Sequence, residues 1–283
     1  RRRHRRSDQP SFNAPTAGLI MMNELTTEVL NYVKENELDK LLNAEVAPVK
    51  KGIYESVDPS VVAPKSPEWD DLVRLHSLVR TRKVTTVLEF GCGYSTVVLA
   101  DALAKNEKEF NTFVSANLRR SNAFEIHSVD DMGSYIKITQ DRLPINLKKR
   151  VFFKQSDVQM TTFSDRICTE YNELPNIAPD FIYLDAPSQD SAKGEVSGIS
   201  TRHADRLPMS CDLLKIEHFL LPGTLILVDG RTANARFLRA NFQRNWIYEH
   251  DLVSDTHTFE LCETPLGRYN KAQIEFCLGQ EWL

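Results

Sequence analysis

Two acidic strand ends and one glycine turn hold most of the chemistry available to this sequence. Asp185 closes the apolar run Phe181-Ile-Tyr-Leu184, and Asp229-Gly230-Arg231 closes Thr224-Leu-Ile-Leu-Val228. A carboxylate fixed at such a position can accept a proton from a hydroxyl or ligate a hard cation, and a neighbouring arginine can hold an anion. The glycine turn is Gly91-Cys92-Gly93. It follows the apolar run from Val84 to Phe90 and precedes Ser95 and a helical pattern through Val97, Val98, Leu99 and Leu103. A strand, a tight glycine turn and a helix N-terminus in direct succession form a cradle that lets a nucleotide-type ligand approach the backbone.

The residues around the turn narrow the ligand. Dinucleotide turns read G-x-G-x-x-G and seat a pyrophosphate on the helix N-terminus. Here the run is Gly91-Cys-Gly93-Tyr-Ser-Thr96, without the third glycine, and an acid, Glu89, stands two residues before the first. A carboxylate there repels pyrophosphate and suits an ammonium or sulfonium group. In this acid-x-Gly-x-Gly form, and over roughly residues 66–265, the chain resembles the class I S-adenosylmethionine-dependent methyltransferases. The resemblance implies S-adenosylmethionine as cofactor, lying over Gly91 and Gly93. Glu89 would orient its amino group, or else cap the next helix. Tyr94 and Ser95 would meet the methionine moiety. Asp130, ending the second strand, would accept the ribose hydroxyls, with Asp131 as the alternative. Ser156-Asp157 is similar to the family's adenine-contacting segment.

A narrower, partial resemblance points to the catechol-type small-molecule O-methyltransferases. It rests on the segment from Ser66-Pro67-Glu68 through Gly93-Tyr94-Ser95. In that subgroup the position of Asp185 ligates magnesium, together with an Asp-Asn pair ending the following strand. This chain departs from the pattern with Asp229-Gly230-Arg231. Two carboxylates and Asn234 could still hold a divalent metal such as Mg, or Arg231 could itself be the cation, binding an anionic substrate or pairing Asp229. A metal is therefore admitted but not favoured, and no metal ligands are assigned. Asp185, Asp229 and Arg231 are the catalytic candidates. Asp185, or else His203, is the expected base. His127 reads as structural, and Cys92, with no adjacent base, as a small filler.

These residues need a scaffold that gathers strand ends. Apolar runs at Val84–Phe90, Phe124–Val129, Val151–Lys154, Phe181–Leu184 and Thr224–Val228 alternate with helical patterns, which predicts a mostly parallel sheet covered on both faces. The expected fold is a Rossmann-like α/β three-layer sandwich with seven strands. Trp246–His250 and Thr256–Cys262 would supply a final antiparallel hairpin, and a helical cap would lie at the N-terminus. A helix is expected at about 204–220 and another near 232–243. Residues 105–122 read as an insertion or as a helix extension with a loop, and 188–202 as a substrate lid. The domain reading is a disordered basic tail over 1–18, a helical extension and loop over 19–65, and the methyltransferase-like domain over 66–283.

Composition sets the remaining bounds. Of the 283 residues 41% are apolar and 26% charged, ordinary for a globular protein. Five of the first six residues are arginine, and removing their charge from a net −4 leaves −9. An acidic body argues against a broad nucleic-acid face. Five scattered cysteines with no CxxC spacing indicate neither a zinc site nor a disulfide framework. The expectation is a cytoplasmic enzyme with no membrane span, open to forming a homo-oligomer. It would methylate oxygen on a small polar metabolite or sugar by in-line displacement. The other readings are an NAD-dependent oxidoreductase and a non-catalytic methyltransferase-like interaction module.

Overall fold

The computed structural model describes residues 25–48 and 66–282. The expected basic tail, and most of the loop expected before residue 66, lie outside the described residues. In chain order the elements begin with helices α1 (Thr27–Asn36), α2 (Leu38–Leu42) and α3 (Trp69–Thr81). Next come β1 (Thr86–Phe90), α4 (Tyr94–Asn117), β2 (Glu125–Asp130), α5 (Gly133–Arg142) and β3 (Val151–Gln155). A hairpin of β4 (Val158–Phe163) and β5 (Arg166–Tyr171) precedes β6 (Phe181–Leu184) and α6 (Asp212–Ile216). The chain continues through β7 (Leu225–Asp229), α7 (Thr232–Asn241), β8 (Trp246–Asp251), β9 (Thr256–Leu261) and α8 (Gly267–Leu278).

Seven strands form one sheet in the order β3-β2-β1-β6-β7-β9-β8. The first five run parallel, and β9 and β8 add as an antiparallel pair. The Rossmann-like expectation holds. Strand order reverses between β1 and β6, so their carboxyl ends flank the crevice where such sheets take ligands. The central strands are apolar on both faces, as strands buried under helices must be. Leu88, Phe90, Ile182, Leu184, Ile226 and Val228 face a core completed by Leu213 and Leu238, whereas Val87, Phe181, Tyr183, Leu225 and Leu227 face α3 and α4. Val33, Leu38 and Trp69 form a separate small core that docks α1 and α2 on α3.

Two elements differ from expectation, the β4–β5 hairpin and the helix at 204–220. The β4–β5 hairpin, paired as a two-stranded sheet of its own, takes the place of a crossover helix after β3. Residues 105–117 continue α4 as one long helix followed by a loop, the second of the two readings given for 105–122. The helix expected at 204–220 shrinks to α6 and one following 3-10 turn, because the preceding residues hydrogen-bond to the hairpin instead.

At the far end of the sheet from the crevice, Asp180 fixes the start of β1 against that of β6. Its carboxylate accepts the Thr85 and Thr86 N–H groups, the closest at 2.7 Å, and the Thr85 hydroxyl at 2.8 Å. Buried Arg120 stands 3.8 Å away and hydrogen-bonds the Thr86 hydroxyl. Removing this acid orphans two buried N–H groups and a buried cation. Asp180→Ala is expected to lower stability by about 3 kcal/mol in chemical denaturation, and a midpoint equal to wild type would contradict this role.

Candidate active site

The glycine turn is held by two carboxylates beneath it. Glu89 is fully buried at the end of β1, where a bare carboxylate would be costly. Three hydroxyls answer it: Ser95 and Thr96 in the first turn of α4, at 2.6 and 2.7 Å, and Ser128 on β2, at 2.5 Å. Ser128 is the register partner of Glu89 across the β1–β2 pair. Thr96 also accepts the Gly93 N–H at 3.0 Å, so one acid orders the turn, the helix start and the neighbouring strand. Glu89 holds the helix start through side-chain hydroxyls and not as a cap on its backbone N–H groups, and the Ser95 hydroxyl expected at a ligand is directed at Glu89. Burial raises the Glu89 pKa to about 7, against the pull of the three hydroxyls.

Asp130 is the second latch. Its carboxylate accepts the Cys92 N–H at 3.0 Å and the Met132 N–H at 2.8 Å, and the side chain is buried. It therefore ties the glycine turn to the end of β2, while Asp131 beside it is half-buried at the rim. Burial, then the Asp130 charge, pushes the Cys92 thiol far up, consistent with a filler rather than a nucleophile.

The two glycines serve different ends. Gly91 has φ +89°, and a Cβ there would come within 3.0 Å of the Ala186 Cβ, so both backbone and space require glycine. Gly93 is extended, with φ 173°. A Cβ on it would meet no atom within 4 Å. The space in front of Gly93 is thus open, as a cradle for a bulky ligand demands. Beside it the Arg142 guanidinium lies 4.1 Å from the centre of the Tyr94 ring.

The adenine-side candidates are split. Ser156 is buried and its hydroxyl accepts the Glu173 N–H at 2.9 Å, while Asp157 is exposed and pairs with Lys193 at 2.7 Å. Lys193 belongs to the segment expected to act as a lid. That segment is fastened: Lys193 exchanges two 2.8 Å backbone hydrogen bonds with β4, and Arg202 donates to the carbonyls of Ala192 and Gly194.

Asp185 and Asp229 stand at the adjacent ends of β6 and β7. Arg231 pairs with Asp185 rather than Asp229, its Nε 3.3 Å from Oδ1, and it also donates to the carbonyls of Asp185 and Pro187. Asp229 accepts the Tyr183 hydroxyl at 2.7 Å. Burial, followed by the nearby Asp71 carboxylate, raises its pKa to about 7. Asn234 does not serve as a metal donor: fully buried, it exchanges two hydrogen bonds with the Ser210 backbone. His203 is exposed and its Nδ1 accepts the Asp205 N–H, a local turn contact. His127 bonds Glu125 and stacks on Phe152, as a structural residue would.

Sequence reading missed Thr96, Ser128, Tyr183 and Tyr171. Aligning the last apolar residues of β1 and β2, Phe90 and Val129, would have set Ser128 opposite Glu89. Tyr171 arrives on the unforeseen hairpin. Its buried hydroxyl has no partner among the described residues, and the charges it feels are those of Asp130, Asp131, Asp212 and Arg231, around the same crevice.

No protein-family model and no curated protein matches this chain. Solved structures do resemble it. A Podospora anserina methyltransferase bound to SAH is 14% identical, with 88% of this chain and 100% of that chain covered and a TM-score of 0.45. A Bacillus cereus O-methyltransferase in complex with SAH is 15% identical over 85% of this chain and 93% of that one, at 0.36. TomG, an O-methyltransferase from Streptomyces achromogenes involved in tomaymycin synthesis and bound to SAM, is 15% identical over 85% and 92%, at 0.37. The fold assignment stands on the strand order itself.

The Glu89 pKa has a consequence for stability. As pH rises from about 4.5 to about 7, the unfolded chain gives up this proton while the folded chain keeps it, so stability falls across that window and levels above it. Relative to Glu89→Gln, wild type is expected to lose up to roughly 3 kcal/mol between pH 5 and pH 8. Parallel denaturation curves at the two pH values would contradict the assignment.

Proposed function

We propose that this protein is an S-adenosylmethionine-dependent methyltransferase acting on oxygen of a small polar metabolite or sugar. The observation that carries the reading is the open space over Gly93, on a turn braced by two buried acids at the crevice between β1 and β6. S-adenosylmethionine, when bound, supplies an electrophilic methyl group on a sulfonium. The remaining work belongs to the chain. Gly91 and Gly93 admit the ligand to the backbone. Asp130 holds the turn in shape, and Asp131, at the rim, accepts the ribose hydroxyls. Ser156 and Asp157 border the adenine side, and Tyr94 and Ser95 flank the methionine moiety.

For the acceptor, orientation supplies much of the catalysis, since methyl transfer is an in-line displacement. An alcohol acceptor must also lose its proton. Asp229, with a pKa near 7 and oriented by Tyr183, is matched to that task at neutral pH. Arg231 keeps Asp185 and the bend that follows it in place, which puts a fixed cation where the catechol-type enzymes use a metal. The acidic body of the chain favours a small acceptor over nucleic acid.

Calorimetric titration with S-adenosylhomocysteine, with and without magnesium, tests the reading. Wild type is expected to bind in both conditions and Gly93→Arg to lose binding while keeping its thermal stability, because extended backbone accepts any residue there. Equal affinity of the two proteins would overturn the site. The two acids at the end of β2 should also separate. Asp131→Ala is expected to weaken the ligand about tenfold with little change in melting temperature, whereas Asp130→Ala should lower the melting temperature itself. The opposite pattern would return the ribose role to Asp130.

A further inference from the structure

The β8–β9 hairpin carries ligating side chains that the proposed reaction does not use. His250 and His257 are directly opposed partners in the antiparallel ladder, so both imidazoles stand on one face of the hairpin. Their rings lie 3.8 Å apart, centre to centre. Asp255 comes from the same hairpin, and its Oδ1 is 3.3 Å from His250 Nε2. One ligand atom from each of these three residues lies within 4.8 Å of the other two. Among the described residues, no other group of three histidine, cysteine or acidic side chains converges this closely.

The surroundings resemble those of a metal-binding histidine. His257 is fully buried, and its Nδ1 is 2.9 Å from the Tyr248 hydroxyl. An outer hydrogen bond on one ring nitrogen fixes the ring and leaves the other nitrogen for the ion. That other nitrogen, Nε2, faces the Thr232 hydroxyl at 3.1 Å, and the same hydroxyl is 3.2 Å from Asp255 Oδ1. Two imidazoles, a carboxylate and a threonine oxygen thus converge at the outer end of the sheet. Stacked rings must swing apart before both lone pairs can meet one ion. His250 has room for this, on edge strand β8 with its side chain 21% exposed, while His257 stays fixed.

We propose that His250, Asp255 and His257 bind a borderline divalent transition ion, with zinc as its representative. Two nitrogens and one carboxylate oxygen suit zinc, whereas magnesium and calcium prefer oxygen alone. Three protein ligands leave a fourth position for water. The ion would also bear on the neighbouring site, because the Asp255 carbonyl accepts the Gly230 N–H at 3.0 Å, between Asp229 and Arg231.

Titration of the metal-free full chain with zinc near neutral pH, followed by calorimetry, is the test, with cobalt absorption as a second readout. One equivalent is expected to bind at micromolar concentration or tighter. His250→Ala, and separately the exposed Asp255→Asn, should each weaken binding at least about tenfold without altering the denaturation curve. The paired variant Asp185→Asn with Asp229→Asn should bind zinc as wild type does, and excess magnesium should not displace the ion. Absence of binding, binding indifferent to both hairpin variants, or loss of binding in the paired aspartate variant would each overturn the proposal.

Discussion

A single buried carboxylate at the end of the first strand organises the candidate site. Glu89 has no exposed surface, and its cost is met by three hydroxyls drawn from two different elements. Those bonds fix the glycine turn, the first turn of α4 and the neighbouring strand in one arrangement. Asp130 adds a second tie through the Cys92 N–H. With its backbone held from below, the turn can leave its upper side open at Gly93. The opening follows from the bracing. A turn without such ties would be free to close over the space with its own side chains.

The crevice is walled by parts that arrive from far along the chain. The β4–β5 hairpin brings Tyr171, and the segment after Asp185 is stitched along that hairpin on both sides through Lys193, Met209 and Cys211. On the other side, Arg231 binds the Asp185–Pro187 bend and so ties the ends of β6 and β7 together. On the proposed function, the 188–202 segment belongs to the fastened walls that an acceptor would meet. Asp229, between Tyr183 and Asp71, changes protonation near neutral pH, as Glu89 does beneath the turn.

Much of this was legible in the residues alone, for physical reasons. Strands covered on both faces read as largely apolar runs, and four of the five carried an acid at or next to their ends, so Glu89, Asp130, Asp185 and Asp229 could be placed together before any coordinates. Side-chain direction was harder. Nothing in the spacing says that Asp130 turns inward to backbone N–H groups while Asp131 stays at the rim. The hairpin escaped because its turn, Ser164-Asp165, has both residues at positive φ without the glycine that marks most such turns. The helix expected at 204–220 failed because residues 209 and 211 give their backbone bonds to Thr169. Long-range pairing of that kind outweighs local helical preference.

On the proposed function, a nucleoside bearing a positive centre lies across the braced glycine turn. The most direct measurement is a crystal structure of the chain grown with S-adenosylhomocysteine. Ligand density is expected over Gly91–Gly93, with the ribose at the acids ending β2 and the sulfur turned toward Asp185 and Asp229. Ligand density elsewhere on the molecule, or a Gly93 face filled by protein side chains at full ligand saturation, would contradict it.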